Sequence, residues 1–221
     1  MPDSSSTTCW TVIRGAAAGN TEDKEQFARR YLPAVRAYLG ARWRRGPLAG
    51  DVDDAVQEVF FECFKGALER ADEQRGFRGL LYGIARNVAR RHEERRRKKR
   101  EFQASEWSAV PADEGSLSAA FDREWAQSIL DLARNRQADN ARELGVDAER
   151  RIRLLELRFE DGLPIRDIAR LWEASPEHLH REYAKARKEF RRCLVDVVSE
   201  HTPGDEEAIE RECSHLLHFF S

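Results

Sequence analysis

The sequence contains little cysteine, a single methionine and no long apolar segment. Its four cysteines are scattered without the paired spacing of a metal site: Cys9, Cys63, Cys193 and Cys213. We therefore predict reduced thiols in a cytoplasmic protein, three of them packed as small apolar groups. No apolar run approaches the roughly 18 residues that span a bilayer. Residues 1–8 lack the basic start and apolar run of a signal peptide, and we expect them to be disordered. These features argue against a membrane-spanning or exported protein.

Motifs of the common enzyme classes are also missing. The sequence has no glycine-rich phosphate loop, no nucleophile elbow and no HExxH pair. Cys213, His215 and His218 cluster near the C-terminus, but at that spacing on one helix they cannot all face one ion. We therefore expect no metal, no cofactor and no catalytic residue.

Charged residues are abundant and unevenly distributed. They make up 35% of the chain, and the formal net charge is only −2. Residues 86–100 are rich in arginine, whereas residues 205–212 are acidic. A local basic segment in a near-neutral chain favours a specific polyanion site over general stickiness.

Apolar residues recur at helical spacing along the chain, and no segment shows the alternation of a strand. Residues 51–65 predict an amphipathic helix with an acidic outer face, and residues 77–100 predict a helix with a basic outer face. We expect Thr21 to cap an earlier helix and Pro33 to kink or split it.

Residues 154–197 predict a helix-turn-helix. Gly162 suits the end of one helix, Pro164 suits the first turn of a short second helix, and Ser175 suits the cap of a third. The last helix carries a basic outer face, which fits a major groove. The alternative is an ordinary helical hairpin whose basic face is solvated.

Three motifs resemble those of bacterial sigma factors of the extracytoplasmic-function (ECF) group, within the sigma-70 family. Residues 53–60, DDAVQEVF, resemble the acidic helix of the family. Residues 76–87, GFRGLLYGIARN, resemble its "F-R-x-W-L-Y-x-I-A-R-N" segment, and residues 163–187 resemble its helix-turn-helix. Three motifs in family order are far more specific than any one of them.

The resemblance implies a polymerase-binding surface on the acidic helix. The residues that match the family's contact with the clamp helices of the largest subunit are Asp53, Asp54, Gln57 and Glu58. A carboxylate patch suits a basic partner. The alternative is a solvated helix face.

The resemblance further implies that residues 69–76 and the following helix open the promoter at its −10 element. Asn87 matches a position that contacts a base flipped out of the stack, and its amide can both donate to and accept from a base edge. The phosphates would be bound by Arg86, Arg90 and Arg91. The alternative for Asn87 is a polar residue that faces water.

The last helix of the helix-turn-helix would read the −35 element. The residues expected to contact it lie near the start of that helix: His178, His180, Arg181 and Lys185. Glu182 stands where the family often has a basic residue, so it either contacts a cytosine or has no role in base reading.

These features together predict an all-α protein of two small helical domains, sigma-70 region 2-like and region 4-like, joined by a linker and followed by a C-terminal helix. The predicted segments are 1–20, 21–101 (region 2-like), 102–116 (linker), 117–200 (region 4-like) and 201–221 (tail helix). We expect the tail to dock on the last domain, near Leu194, Val197 and Val198.

The predicted function is that of a non-enzymatic promoter-specificity subunit. Its expected partners are promoter DNA and core RNA polymerase, through the clamp helices and the flap, with an anti-sigma factor or a regulatory kinase as candidate regulators. The alternative is a stand-alone helix-turn-helix regulator, which would have no use for the acidic helix.

Overall fold

The computed structural model describes residues 9–44, 46–72, 75–103 and 114–218, and every regular element in these ranges is helical. The helices are α1 (Cys9–Ala17), α2 (Thr21–Trp43), α3 (Val52–Glu62), α4 (Phe77–Gln103), α5 (Glu114–Leu144), α6 (Val146–Phe159), α7 (Ile165–Leu171), α8 (Pro176–His201) and α9 (Glu206–His218). Within the described ranges, no helix is long and apolar enough to span a membrane. The predicted disorder of residues 1–8 lies outside the described residues.

The chain forms two compact units. Unit 1 comprises the described residues up to Ser128 and from Ser199 onwards, and unit 2 comprises Ile129–Val198. Helices α5 and α8 each contribute to both units, and the predicted linker lies mostly outside the described residues. The tail is part of unit 1, and its expected docking near Leu194, Val197 and Val198 stays a prediction.

Helix α2 departs from prediction at its start and at its proline. The cap is Asn20, whose side chain accepts a hydrogen bond from the Asp23 N–H at 3.0 Å, and not Thr21. Asparagine satisfies a free first-turn N–H better than threonine does. Pro33 lies inside α2 and does not split it. In the turn before Pro33, the Ser128 hydroxyl donates to the Arg30 carbonyl at 2.9 Å, which supports the backbone there.

An aromatic cluster forms the core of unit 1. The Phe27 ring lies 5.0 Å from the Tyr31 ring and 5.4 Å from the Phe77 ring, so α2 packs on the start of α4. Trp125 of α5 stacks on Tyr31 at 5.3 Å. Such rings bury about 150–250 Å² each, and therefore dominate the energy of a small core.

The Tyr31 hydroxyl lies in a buried polar cluster within this core. Its oxygen lies 3.2 Å from Cys9 Sγ and 3.1 Å from His201 Nε2. Burial, followed by the neighbouring Cys9 thiol, raises the pKa of Tyr31 well above its usual value of 10. The cluster links α1, α2 and the C-terminal end of α8.

Removing this hydroxyl tests the contribution of the cluster. Tyr31→Phe should lower the free energy of unfolding by about 1–3 kcal/mol, because two buried groups lose a polar partner. Tyr183→Phe is the matched control, since the half-exposed Tyr183 hydroxyl makes no hydrogen bond recorded for the described residues. Denaturant titration followed by circular dichroism measures both.

The same variant should change the response to alkaline pH. A raised pKa stabilises the folded state below pH 10, and this contribution is lost as the pH rises further. Tyr31→Phe should therefore lose less stability above pH 10 than the wild type. Parallel curves for the two proteins would contradict the role assigned to Tyr31.

Candidate functional site

Helix α3 presents an acidic surface in unit 1. Its apolar side is buried, whereas Asp53, Asp54 and Gln57 are exposed. The Asp53 carboxylate pairs with Arg36 at 2.6 Å on the open surface, where such a pair contributes little. Asp54 and Gln57 make no side-chain contact recorded for the described residues, so both can meet a partner.

Glu58 is placed differently from its neighbours. Its carboxylate accepts hydrogen bonds from His92 at 2.8 Å and from Arg95 at 3.2 Å, and it pairs with Arg91 at 3.2 Å. Burial raises the pKa of Glu58, but the hydrogen bonds from Arg95 and His92 outweigh it and lower the pKa below 4.5. Glu58 therefore joins α3 to α4, and its predicted role in polymerase binding stays a prediction.

Phe61 is a surface residue that sequence reasoning left out of the site. Its side chain is 61% exposed, and it lies one helical turn after Gln57 on the outer side of α3. The Lys65 ammonium lies 5.6 Å from the centre of its ring. The sequence could have indicated this residue, because a large aromatic side chain on the polar side of an amphipathic helix is typical of interface anchors.

The basic face of α4 carries the residues predicted to meet DNA. Asn87 and Arg90 are exposed and form no side-chain hydrogen bond or ion pair within the described residues, although Arg90 interacts electrostatically with Glu93. Arg86 is half-buried, and its buried Nε atom has no hydrogen-bond partner among the described residues. Arg91 pairs with Glu58 and Glu62 at 3.2 Å, so its charge is partly neutralised within unit 1.

The segment before α4 contains two glycines in the left-handed region. Gly66 has φ 124° and Gly76 has φ 72°, and between them Leu68–Arg70 form a short 3₁₀ turn. Residues 73 and 74 of the predicted base-capture loop lie outside the described residues. Glycine adopts a positive φ more easily than any other residue, which explains its presence at both positions.

Comparison with known proteins identifies this part of unit 1. The family model described as Sigma-70 region 2 matches residues 27–101, which span most of α2 and all of α3. Residues 27–101 are a sigma-70 region 2 domain. Proteins with this region are non-enzymatic sigma factors, which confirms that the chain is not an enzyme. No curated protein matches the chain.

The region 2 domain accounts for about a third of the chain, and unit 2 lies outside it. In unit 2, α6, α7 and α8 enclose a small apolar cluster that includes Leu157, Ile168 and Leu179. Gly162 has φ 68°, as predicted for a helix end. Pro164 is the N-cap of α7 rather than its first residue, and the Ser175 hydroxyl accepts from the His178 N–H at 3.3 Å.

Three of the predicted base-reading residues share one side of α8 at helical spacing, whereas His180 lies on another side of the helix. All four are exposed near its start: His178, His180, Arg181 and Lys185. Within the described residues, Arg181 and the two histidines form no side-chain hydrogen bond or ion pair, although His180 and Arg181 interact electrostatically with Glu177. The Lys185 ammonium donates to Glu182 at 2.8 Å.

Glu182 belongs to an ion network inside unit 2. Its side chain is 17% exposed and lies 3.4 Å from Arg151, which also binds Glu189 at 2.8 Å. The hydrogen bond from Lys185, and then that from Arg151, lowers the pKa of Glu182 against the effect of burial. The carboxylate is thus engaged by two cations of its own unit.

Glu58→Gln should separate internal pairing from surface charge. We expect a loss of about 1–2 kcal/mol at neutral pH, because Arg91, Arg95 and His92 lose a charged acceptor in a partly exposed site. The stabilisation from Glu58 is present above pH 4.5 and is lost as the pH falls below it, so the difference from wild type should shrink in acid.

Asp54→Asn is the matched control on the same helix. Because Asp54 is exposed without a recorded partner, its stability should change by less than about 0.5 kcal/mol. Thermal unfolding from pH 3 to pH 7 measures both variants. Equal effects at the two positions would mean that the Glu58 pairs do not stabilise unit 1.

Proposed function

We propose that the protein is a sigma factor of the ECF group, which binds core RNA polymerase and directs it to promoters through −10 and −35 elements. The observation that carries the proposal is the region 2 match, which includes both the acidic surface of α3 and the basic face of α4. Polymerase binding and DNA binding can therefore reside on adjoining helices of one domain.

The polymerase would dock on the exposed side of α3. Asp53, Asp54 and Gln57 offer a polar and acidic surface, and Phe61 adds an aromatic ring beside it. Interfaces are typically held by one or two buried aromatic anchors with charges at the rim, which steer and orient the partner. Glu58 would act mainly by holding α3 against α4.

The −10 element would bind along α4. Arg90 and the outer nitrogens of Arg86 suit phosphates, while the exposed Asn87 amide suits the edge of an unstacked base. Arg91 would contribute less to DNA binding than expected from the sequence, because its carboxylate partners compete with phosphate.

The −35 element would bind to unit 2. Helices α7 and α8 share a buried cluster and are joined by a short turn, which supports a region 4-like helix-turn-helix. His178, Arg181 and Lys185 project from the start of α8, where recognition helices usually contact bases. Glu182, engaged by Arg151 and Lys185, would orient Lys185 rather than read a cytosine.

Charge reversal tests the polymerase contact. Asp54→Lys should weaken binding to core polymerase at least tenfold, since like charges would meet at the interface, and Phe61→Ala should cost about 2 kcal/mol. Both substitutions are on an exposed face and should leave unit 1 folded.

Glu25→Lys serves as the control, because Glu25 is an exposed acidic residue on α2 with no ion pair recorded for the described residues. Fluorescence anisotropy of labelled protein with core polymerase gives the affinities. Wild-type protein that binds promoter DNA tightly but never associates with core polymerase would identify a stand-alone regulator instead.

The two DNA surfaces should fail in different ways. Arg181→Ala and Lys185→Ala should reduce binding to the duplex −35 element by about 1–3 kcal/mol each. Asn87→Ala should slow promoter opening and spare duplex binding, because its base is accessible only when unstacked.

Permanganate footprinting and duplex binding, on a promoter selected by the wild-type holoenzyme from genomic fragments, measure the two steps. Arg192→Ala is the control, since Arg192 is exposed on α8 about three turns beyond Arg181. Loss of duplex binding in Asn87→Ala would show that its role is assigned wrongly.

A further inference from the structure

Arg151 of α6 binds two carboxylates of α8 within unit 2. Its Nε atom donates to Glu189 at 3.0 Å, and its Nη2 atom lies 2.8 Å from the same carboxylate. Its Nη1 atom donates to Glu182 at 3.4 Å. Each nitrogen of the guanidinium therefore has a carboxylate partner. Because the guanidinium is a rigid fork, these contacts fix both carboxylates relative to α6.

Glu182 connects Arg151 to the side of α8 that is proposed to read the −35 element. Its Oε2 atom accepts the hydrogen bond from Arg151, and its Oε1 atom accepts the one from the Lys185 ammonium at 2.8 Å. Arg151 is 14% exposed and lies on a different helix from Lys185, yet only Glu182 stands between them. The position of Arg151 therefore affects the position of the Lys185 ammonium.

A carboxylate at position 182 would oppose DNA binding if Arg151 did not hold it. A mostly buried charge that loses its cation is costly, so the side chain would turn towards water. Residues three and four apart on a helix are neighbours, which places both His178 and Lys185 within its reach. The released carboxylate would compete with DNA for Lys185 and repel phosphates within a Debye length, about 8 Å at physiological salt.

We infer that Arg151 is a positioning residue for −35 recognition, which holds Glu182 at the inner edge of α8 and so directs Lys185 towards the DNA. The inference rests on the proposed function, since it assumes that α8 enters the −35 duplex. Arg151 does not touch DNA in this arrangement. It allows an acidic residue on the recognition helix to orient a base-reading lysine without repelling the phosphates.

A double-mutant cycle in the full-length protein, bound to core polymerase, tests the inference. Arg151→Met should weaken binding to the selected −35 duplex about five- to tenfold, because it releases the Glu182 carboxylate. In a Glu182→Gln background the charge is absent, so adding Arg151→Met should change the affinity less than about twofold. Fluorescence anisotropy with labelled duplex measures these affinities, and the loss in Arg151→Met should shrink as salt is added.

Base preference distinguishes positioning from stability. A smaller folded fraction lowers the affinity for every duplex by the same factor, so it leaves the ratios between duplexes unchanged. A displaced lysine changes those ratios. In a series of duplexes with each −35 base pair replaced in turn, Arg151→Met should reduce discrimination at least about threefold at the position where Lys185→Ala relaxes it.

Arg153→Met is the matched control, because it removes the same charge from the same helix. Arg153 pairs with Glu156 of α6 at 2.8 Å on the open surface, so both affinity and base preference should stay within about twofold of wild type. Ile168→Val provides a destabilised unit 2, since Ile168 is fully buried in its apolar cluster. It should lower the melting temperature and leave the base preference unchanged.

Wild-type affinity or wild-type base preference in Arg151→Met would overturn the inference. Equal weakening by this substitution with and without Glu182→Gln would overturn it as well. In each case, weaker duplex binding by Arg181→Ala would leave the proposed function intact. Failure of the wild-type protein to initiate with core polymerase on any genomic fragment would instead refute the proposed function, so the two failures are distinguishable.

Discussion

The pairing of Glu58 with side chains of α4 decides which charges of unit 1 are left for partners. One carboxylate holds His92 and Arg95 at hydrogen-bond distance and pairs with Arg91. The acidic surface of α3 and the basic face of α4 are thereby parts of one body. As a consequence, Glu58 and Arg91 neutralise each other's charge, and only the other charged side chains of these two helices are available to bind partners.

This division of charge explains what the sequence can and cannot predict about the site. Periodicity showed which side of α3 and α4 faces outwards, because burial follows local spacing. It did not distinguish Asp54, which is exposed, from Glu58, which is engaged, because that depends on which side chain of α4 stands opposite. Glu182 of α8 is a second case, since its partner Arg151 lies on another helix.

The prediction of the fold was limited in the same way, because local sequence does not show which distant elements are in contact. The bounds of α3, α4, α7 and α8 follow from apolar repeats and from glycine and serine signals at their ends, and the structure agrees to within a few residues. The cap of α2 was misplaced by one residue because Asn20 and Thr21 are both good caps. The docking site of the tail stays a prediction, since the apolar stripe of α9 shows that the helix packs but not which helix it packs against.

The discontinuity of unit 1 has a consequence for biosynthesis. Tyr31 and its partner His201 are separated by 170 positions, and the whole of unit 2 is translated between them. At about 5–20 residues per second, the nascent chain waits on the order of ten seconds or more between these two residues. During that time, the Tyr31 hydroxyl lacks its contact with His201. The aromatic rings that contact the C-terminal segment in the folded protein lack that contact too. The core of unit 1 is therefore completed only after the ribosome has translated unit 2.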